Sequence, residues 1–164
     1  MDIVAPLSGV VVPLDAVPDP VFARKMVGDG VAIDPTSSEV LAPVSGTVTQ
    51  LHRAHHALAV TADGGVEVLI HVGLDTVSLE GRGFTPLVSE GARVERGQPV
   101  LRFDAEAVAR DARSLLTAVI VTSAGRVARL TPVRGLVEAG ESVLMRLDLA
   151  APVALSGGET YWIV

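Results

Sequence analysis

Short valine-rich runs along the chain are broken at close intervals by glycine, proline, aspartate and serine. Runs at 8–12, 31–33, 39–42, 45–51, 56–61, 66–72, 76–79, 99–103, 117–122, 125–130 and 142–148 are mostly bounded by such turn formers and read as strands. One segment, Asp104–Leu116, reads as a helix. Asp104 suits an N-cap, and Val108, Leu115 and Leu116 supply an apolar stripe. Many short strands with a single short helix predict an all-β fold, an antiparallel sandwich or barrel. No long linker or low-complexity run interrupts the pattern, so residues 1–149 are expected to form one domain. Residues 150–164 form a C-terminal extension, ending in an extra strand at Thr160–Val164 or in a disordered tail.

Two echoes refine this picture. Val4–Val11 (VAPLSGVV) resembles Leu41–Val48 (LAPVSGTV), and Val94–Leu101 (VERGQPVL) resembles Val137–Leu144 (VEAGESVL). Their offsets differ, which excludes a solenoid of fixed period. They fit two similar β-halves across one core, or else a shared hairpin grammar.

All four histidines fall in one stretch: His52, His55, His56 and His71. Between the last two lies Ala62-Asp63-Gly64-Gly65, flanked by apolar runs, and Asp-Gly in such a setting signals a tight hairpin. With Asp63 and Gly64 as a two-residue loop, the register sets His56 directly opposite His71, Cβ atoms about 4.5–5.5 Å apart. Leu69 and Glu67 would then share the histidine face with Leu58 and Val60. Val66, Val68 and Ile70 would share the core face with Ala57, Ala59 and Thr61. Facing imidazoles suit several chemistries. They could be two ligands of a metal, completed by Asp75 or a partner's carboxylate, or an acid–base pair. They could also transfer a phosphoryl group covalently, one ring as nucleophile and the other stabilising charge, or be ordinary strand residues.

Composition narrows the field. Of 164 residues, 49% are hydrophobic and only 3% aromatic, so the core is built of Val, Leu, Ile and Ala. With no cysteine, disulfide, zinc-ribbon and thiol chemistry are excluded. A net charge of −6 argues against nucleic acid and for a basic protein partner. No apolar run reaches the roughly 20 residues of a membrane span, and the N-terminus lacks the basic and apolar regions of a signal peptide. The glycine clusters at Gly28-Asp29-Gly30 and Asp63-Gly64-Gly65 lack the lysine of a P-loop and read as turns. The sole lysine, Lys25, lies outside the hairpin echoes, which disfavours a biotinyl or lipoyl carrier.

Longer motifs carry a family resemblance. His71–Val77 (HVGLDTV), preceded by Gly65–Ile70, resembles the phosphorylation signature of the glucose-family enzyme IIA of the bacterial sugar phosphotransferase system. Val17–Ile33, Leu41–Val48, His56-Ala57 and Glu90–Val100 resemble further markers of that family, in order, from about Ile3 to Leu149. The resemblance implies an antiparallel β-sandwich of two similar halves and a cytoplasmic phosphocarrier needing no cofactor. By it, His71 accepts a phosphoryl group from the phosphocarrier HPr and passes it to a cysteine on the IIB domain of a glucose-type or N-acetylglucosamine-type permease. His56 steadies the phosphoryl oxygens. Asp19 and Asp75 meet basic partner residues, and Val21, Phe22, Val27, Leu69 and Val77 form an apolar collar. No metal is expected in the isolated protein, although His56 and His71 with a partner's carboxylate would make a site. The same face, switched by phosphorylation, would alternatively serve a regulatory binding module.

Three departures stand out. Ala54 replaces a threonine that helps orient the supporting histidine in the family. His52 stands at a collar position that is often aromatic. The short amphipathic N-terminal segment of some members is missing, which gives no support to membrane attachment by that route.

Overall fold

The computed structural model describes residues 1–150, 152–154 and 160–162. All its strand pairings are antiparallel. An eight-stranded sheet runs in the order Leu136–Val137, Gly9–Pro13, Asp29–Pro35, Thr117–Val121, Glu67–His71, Ala57–Ala62, Gly46–Leu51 and Arg93–Val94. Its end strands do not pair with each other, so the sheet is open and the fold is a sandwich, not a closed barrel. Two three-stranded sheets complete the sandwich. One joins Asp2–Val4, Val143–Leu149 and Val127–Pro132; the other joins Glu39–Leu41, Pro99–Phe103 and Phe84–Pro86.

The two halves are real. In each, the chain leaves a small-sheet strand through Ala-Pro and enters the large sheet at a glycine, Gly9 in one half and Gly46 in the other. Gly9 pairs with Val137 and Gly46 with Val94, so the two echoed hairpin segments form the two edges of the large sheet. The Ala5 carbonyl accepts the Gly140 N–H at 2.8 Å, and the Ala42 carbonyl accepts the Gly97 N–H at 2.8 Å.

Between the sheets lies the main core. Ile3, Leu144, Met145 and Leu147 meet Ile33, Leu58, Val60, Val68 and Ile70 there, with Leu101 and Phe103 from the third sheet. A smaller cluster covers the outer face of the large sheet, where Leu14, Val17 and Phe22 pack on Ala32, Ala118, Ile120 and Leu74. Thr117–Val121 is therefore buried on both faces, which explains its unbroken apolar run.

Several elements differ from the sequence reading. The helix spans Ala105–Asp111, with the Asp104 carboxylate accepting the Ala107 N–H, and buries Val108 over Gly83. It stops short of Leu115 because Ser114 is drawn into a bridge with Leu74. A second helical turn, Pro20–Ala23, is capped by Asp19. The segment 76–79 is a 3-10 turn instead of a strand. Asp75 enters it at φ 58°, and buried Thr76 bonds back to the Val72 carbonyl at 2.7 Å. The short strands Asp2–Val4, Phe84–Pro86, Arg93–Val94 and Leu136–Val137 carry too few residues to show a period. In the extension, Thr160–Trp162 pairs with Pro152–Ala154; Ile163 and Val164 lie outside the described residues.

Candidate functional site: a histidine pair on the outer face of the large sheet

His71 ends the strand Glu67–His71 in a row of small side chains. Directly across the ladder stand Ala57 on one side and Ala118 on the other, with Ala32 beyond Ala118. These methyl groups leave space for an imidazole and for Phe22, whose buried ring meets His71 edge-on at 5.1 Å between centroids. The turn Pro20–Ala23 delivers Phe22, and the Asp19 carboxylate caps that turn by accepting the Val21 N–H at 2.9 Å.

His56 is not opposite His71. The hairpin loop has three residues, 63–65: the Ala62 N–H donates to the Val66 carbonyl, the Gly65 N–H to the Ala62 carbonyl, and Gly65 takes φ 93°. One added loop residue shifts the register by one and inverts the expected faces of the first strand. Leu58, Val60 and Ala62 therefore join Val66, Val68 and Ile70 in the core, while Ala57 and Ala59 share the face of His71 and Leu69.

The two imidazoles still meet, because His56 lies just before the strand, in a tight loop. The His52 N–H donates to the Ala57 carbonyl, the His55 N–H donates to the His52 carbonyl, and His55 turns the chain at φ 61°. The His56 carbonyl accepts the Val72 N–H at 2.8 Å. This bend sets the His56 ring 4.7 Å from that of His71, nearly perpendicular at 79°.

Hydrogen bonding distinguishes the ring nitrogens. His71 Nδ1 lies 2.9 Å from the Gly73 carbonyl, which only accepts, so the proton is on Nδ1 and the Nε2 lone pair is free. Burial pushes the His71 pKa below its ordinary value, against the Gly73 hydrogen bond and the charge of Asp19. His56, 2% exposed, is pushed down to about 4, first by burial and then by the charges of His71 and His52. Both rings are therefore neutral at pH 7. His56 Nδ1 is buried with no hydrogen-bond partner among the described residues. Where the family's threonine is replaced by Ala54, the ring is held by contacts: His52 at 4.5 Å, His71, and Phe84 at 6.4 Å.

A cleft of about 670 Å³ opens over the pair. His52, Leu69 and Val77 line it with the two histidines, and Arg53 and Glu90 add charge. Of the other collar residues, Val21 is 42% exposed, Val27 is half-buried against the Phe22 cluster, and Phe22 is buried behind His71. Asp75 is exposed at the start of the 3-10 turn. Among the described residues no group of three or more His, Cys, Asp or Glu side chains is arranged to hold a metal ion.

Sequence reasoning missed the Gly73 carbonyl, which fixes the His71 proton on Nδ1 and leaves Nε2 unprotonated. Its signal was the glycine itself: at φ 77° a Cβ would lie 2.5 Å from Thr76 Cγ2. It also missed the role of Thr76 in fixing the turn that presents this carbonyl.

Two neutral imidazoles in a cleft on a β-sandwich, one with an unprotonated Nε2, have the chemistry that covalent group transfer through histidine requires. The family described as phosphoenolpyruvate-dependent sugar phosphotransferase system, EIIA 1, matches residues 1–127, and the chain belongs to it. A glucose-specific EIIA component of this system from Bacillus cereus is 50% identical over 121 residues, 74% of this chain and 73% of the relative. One from Staphylococcus aureus is 44% identical over 128 residues, 78% of this chain and 77% of the relative. The solved glucose permease IIA from Mycoplasma capricolum superposes with a TM-score of 0.83 at 37% identity, covering 88% of this chain and 94% of that one.

Proposed function

We propose that the chain is a cytoplasmic phosphocarrier, its working domain residues 1–149, and that His71 Nε2 is the atom phosphorylated. The observation that carries this reading is the 2.9 Å hydrogen bond from His71 Nδ1 to the Gly73 carbonyl. It leaves Nε2 with a lone pair in a cleft beside a second neutral imidazole. The Nε2 lone pair attacks the phosphorus of phosphohistidine on HPr. The donor's P–N bond breaks, and its electron pair returns to the donor ring, which takes up a proton. His56 steadies the phosphoryl oxygens, and the group then moves to a cysteine of the IIB domain of a glucose-type or N-acetylglucosamine-type permease. Val21, Val27, Leu69 and Val77 form the apolar docking surface, with Phe22 buried behind His71 as its support, and Asp19 and Asp75 are the acidic points that meet a basic partner.

Incubation with enzyme I, HPr and phosphoenolpyruvate tests the reading. Wild type gains one acid-labile, base-stable phosphoryl group, and His71→Ala gains none. His56→Gln accepts the group but donates it slowly to IIB. An unmodified wild type, or an unchanged yield in His71→Ala, overturns the assignment.

A regulatory reading draws on Val21 and Val77, which are 42% and 52% exposed near the site. A phosphoryl group adds about −1.5 to −2 charges beside them and would expel an apolar partner docked there.

A further inference from the structure

His52 is held more firmly than the packing of one exposed ring requires. Its N–H donates to the Ala57 carbonyl at 2.9 Å, and its carbonyl accepts the His55 N–H at 2.8 Å. Its side chain is tied as well: Nδ1 accepts the Ala54 N–H at 3.0 Å. A ring nitrogen that accepts carries no proton, so the proton of His52 is on Nε2. The loop thus fixes the backbone, the ring orientation and the tautomer of one residue. Two rings pack against that of His56, His52 at 4.5 Å and His71 at 4.7 Å between centroids. All three rings line the same cleft. A charge on His52 is felt at both of the others.

We propose that His52 is a third phosphoryl-binding residue, donating a hydrogen bond from Nε2–H to the group carried on His71 Nε2. The inference rests on the phosphocarrier reading. The transferred group carries its charge on three oxygens, which one supporting imidazole cannot satisfy alone. A donor whose tautomer and rotamer are fixed beforehand costs little reorganisation when that charge arrives. No covalent change occurs at His52: the P–N bond forms at His71, and His52 keeps its proton throughout. Ala54 then has a distinct function. Its backbone N–H orients His52 at a position where its side chain offers nothing to the unpartnered Nδ1 of His56.

Two variants separate donation from packing. His52→Phe keeps a ring against His56 and removes the donor; His52→Gln keeps an N–H at comparable reach and removes the ring. Phosphoryl transfer from phospho-HPr and onward to IIB is measured for both beside wild type. Because the donor is exposed to solvent, a loss of about tenfold is expected in His52→Phe, with His52→Gln near wild type. In parallel, 15N imidazole spectra of the wild-type protein follow His52 on phosphorylation. Its Nε2 resonance should shift while Nδ1 stays in place. Equal rates in His52→Phe and wild type, a His52→Gln as slow as His52→Phe, or an unmoved Nε2 resonance in the phosphorylated protein each overturn the proposal. Wild type that takes up no phosphoryl group overturns the phosphocarrier reading and this one with it. Uptake with an unmoved Nε2 resonance overturns this one alone.

Discussion

At the scale of single residues, the site is a set of protonation states fixed by neighbours. Gly73 assigns the proton of His71 to Nδ1, and burial keeps that ring uncharged. If His71 is the phosphoryl acceptor proposed above, the nucleophile is its neutral imidazole, so acceptance depends on the fraction of His71 that is unprotonated. Its pKa lies below the ordinary 6.5. At pH 6.5, where an ordinary histidine would be half protonated, more than half of His71 therefore remains neutral. The rate of acceptance from phospho-HPr should therefore fall to half its plateau only at a pH below 6.5. Rapid-quench rates across the series, on a donor whose own titration is measured separately, check this. A half-maximal rate at or above pH 6.5 would contradict the burial argument.

At the scale of elements, close approach of backbones decides where glycine must stand. Gly46 opens the strand Gly46–Leu51 against Ala57–Ala62, and a Cβ there would lie 2.1 Å from the Thr61 carbonyl oxygen. That contact falls on backbone in the middle of a paired sheet, so relief requires the strands to part. Gly46→Ala should cost about 3 kcal/mol in urea unfolding, at the upper end of typical overpacking. At Gly64 an added methyl would meet nothing within 4 Å, so alanine there should be tolerated with little loss. The same hairpin marks how far sequence alone reaches. Val66, Val68 and Ile70 alternate plainly and are core, and the neighbourhood of His56 and His71 was legible from spacing. The register was not, because Asp-Gly suits a two-residue turn and a three-residue loop alike, and only Gly65 at φ 93° decides between them. Thr76–Leu79 is apolar enough for a strand. The side-chain bond from Thr76 to Val72, which no periodicity encodes, winds it into a turn.

At the scale of the whole molecule, the neutral histidines link the site to global stability. The two-halved sandwich buries His56 behind His52, His71 and Phe84, and this packing pushes its pKa to about 4. In the unfolded chain the same residue titrates near its ordinary 6.5. Between those two values the unfolded state binds a proton that the folded state refuses, so folding is favoured at higher pH and loses ground as pH falls. The loss begins near pH 6.5 and is complete below about 4. At about 1.4 kcal/mol per pH unit it amounts to about 3 kcal/mol from His56, with His71 acting in the same direction. Acidic side chains also begin to titrate at the lower edge of this window. The measurement is therefore a difference: urea unfolding of wild type and of His56→Gln at pH 7 and at pH 4. Glutamine takes up no proton, so the variant should lose about 3 kcal/mol less than wild type on acidification. Equal losses in the two proteins would mean that His56 is solvated enough to charge in place, and that its ring does not enter the transfer reaction neutral by virtue of the fold.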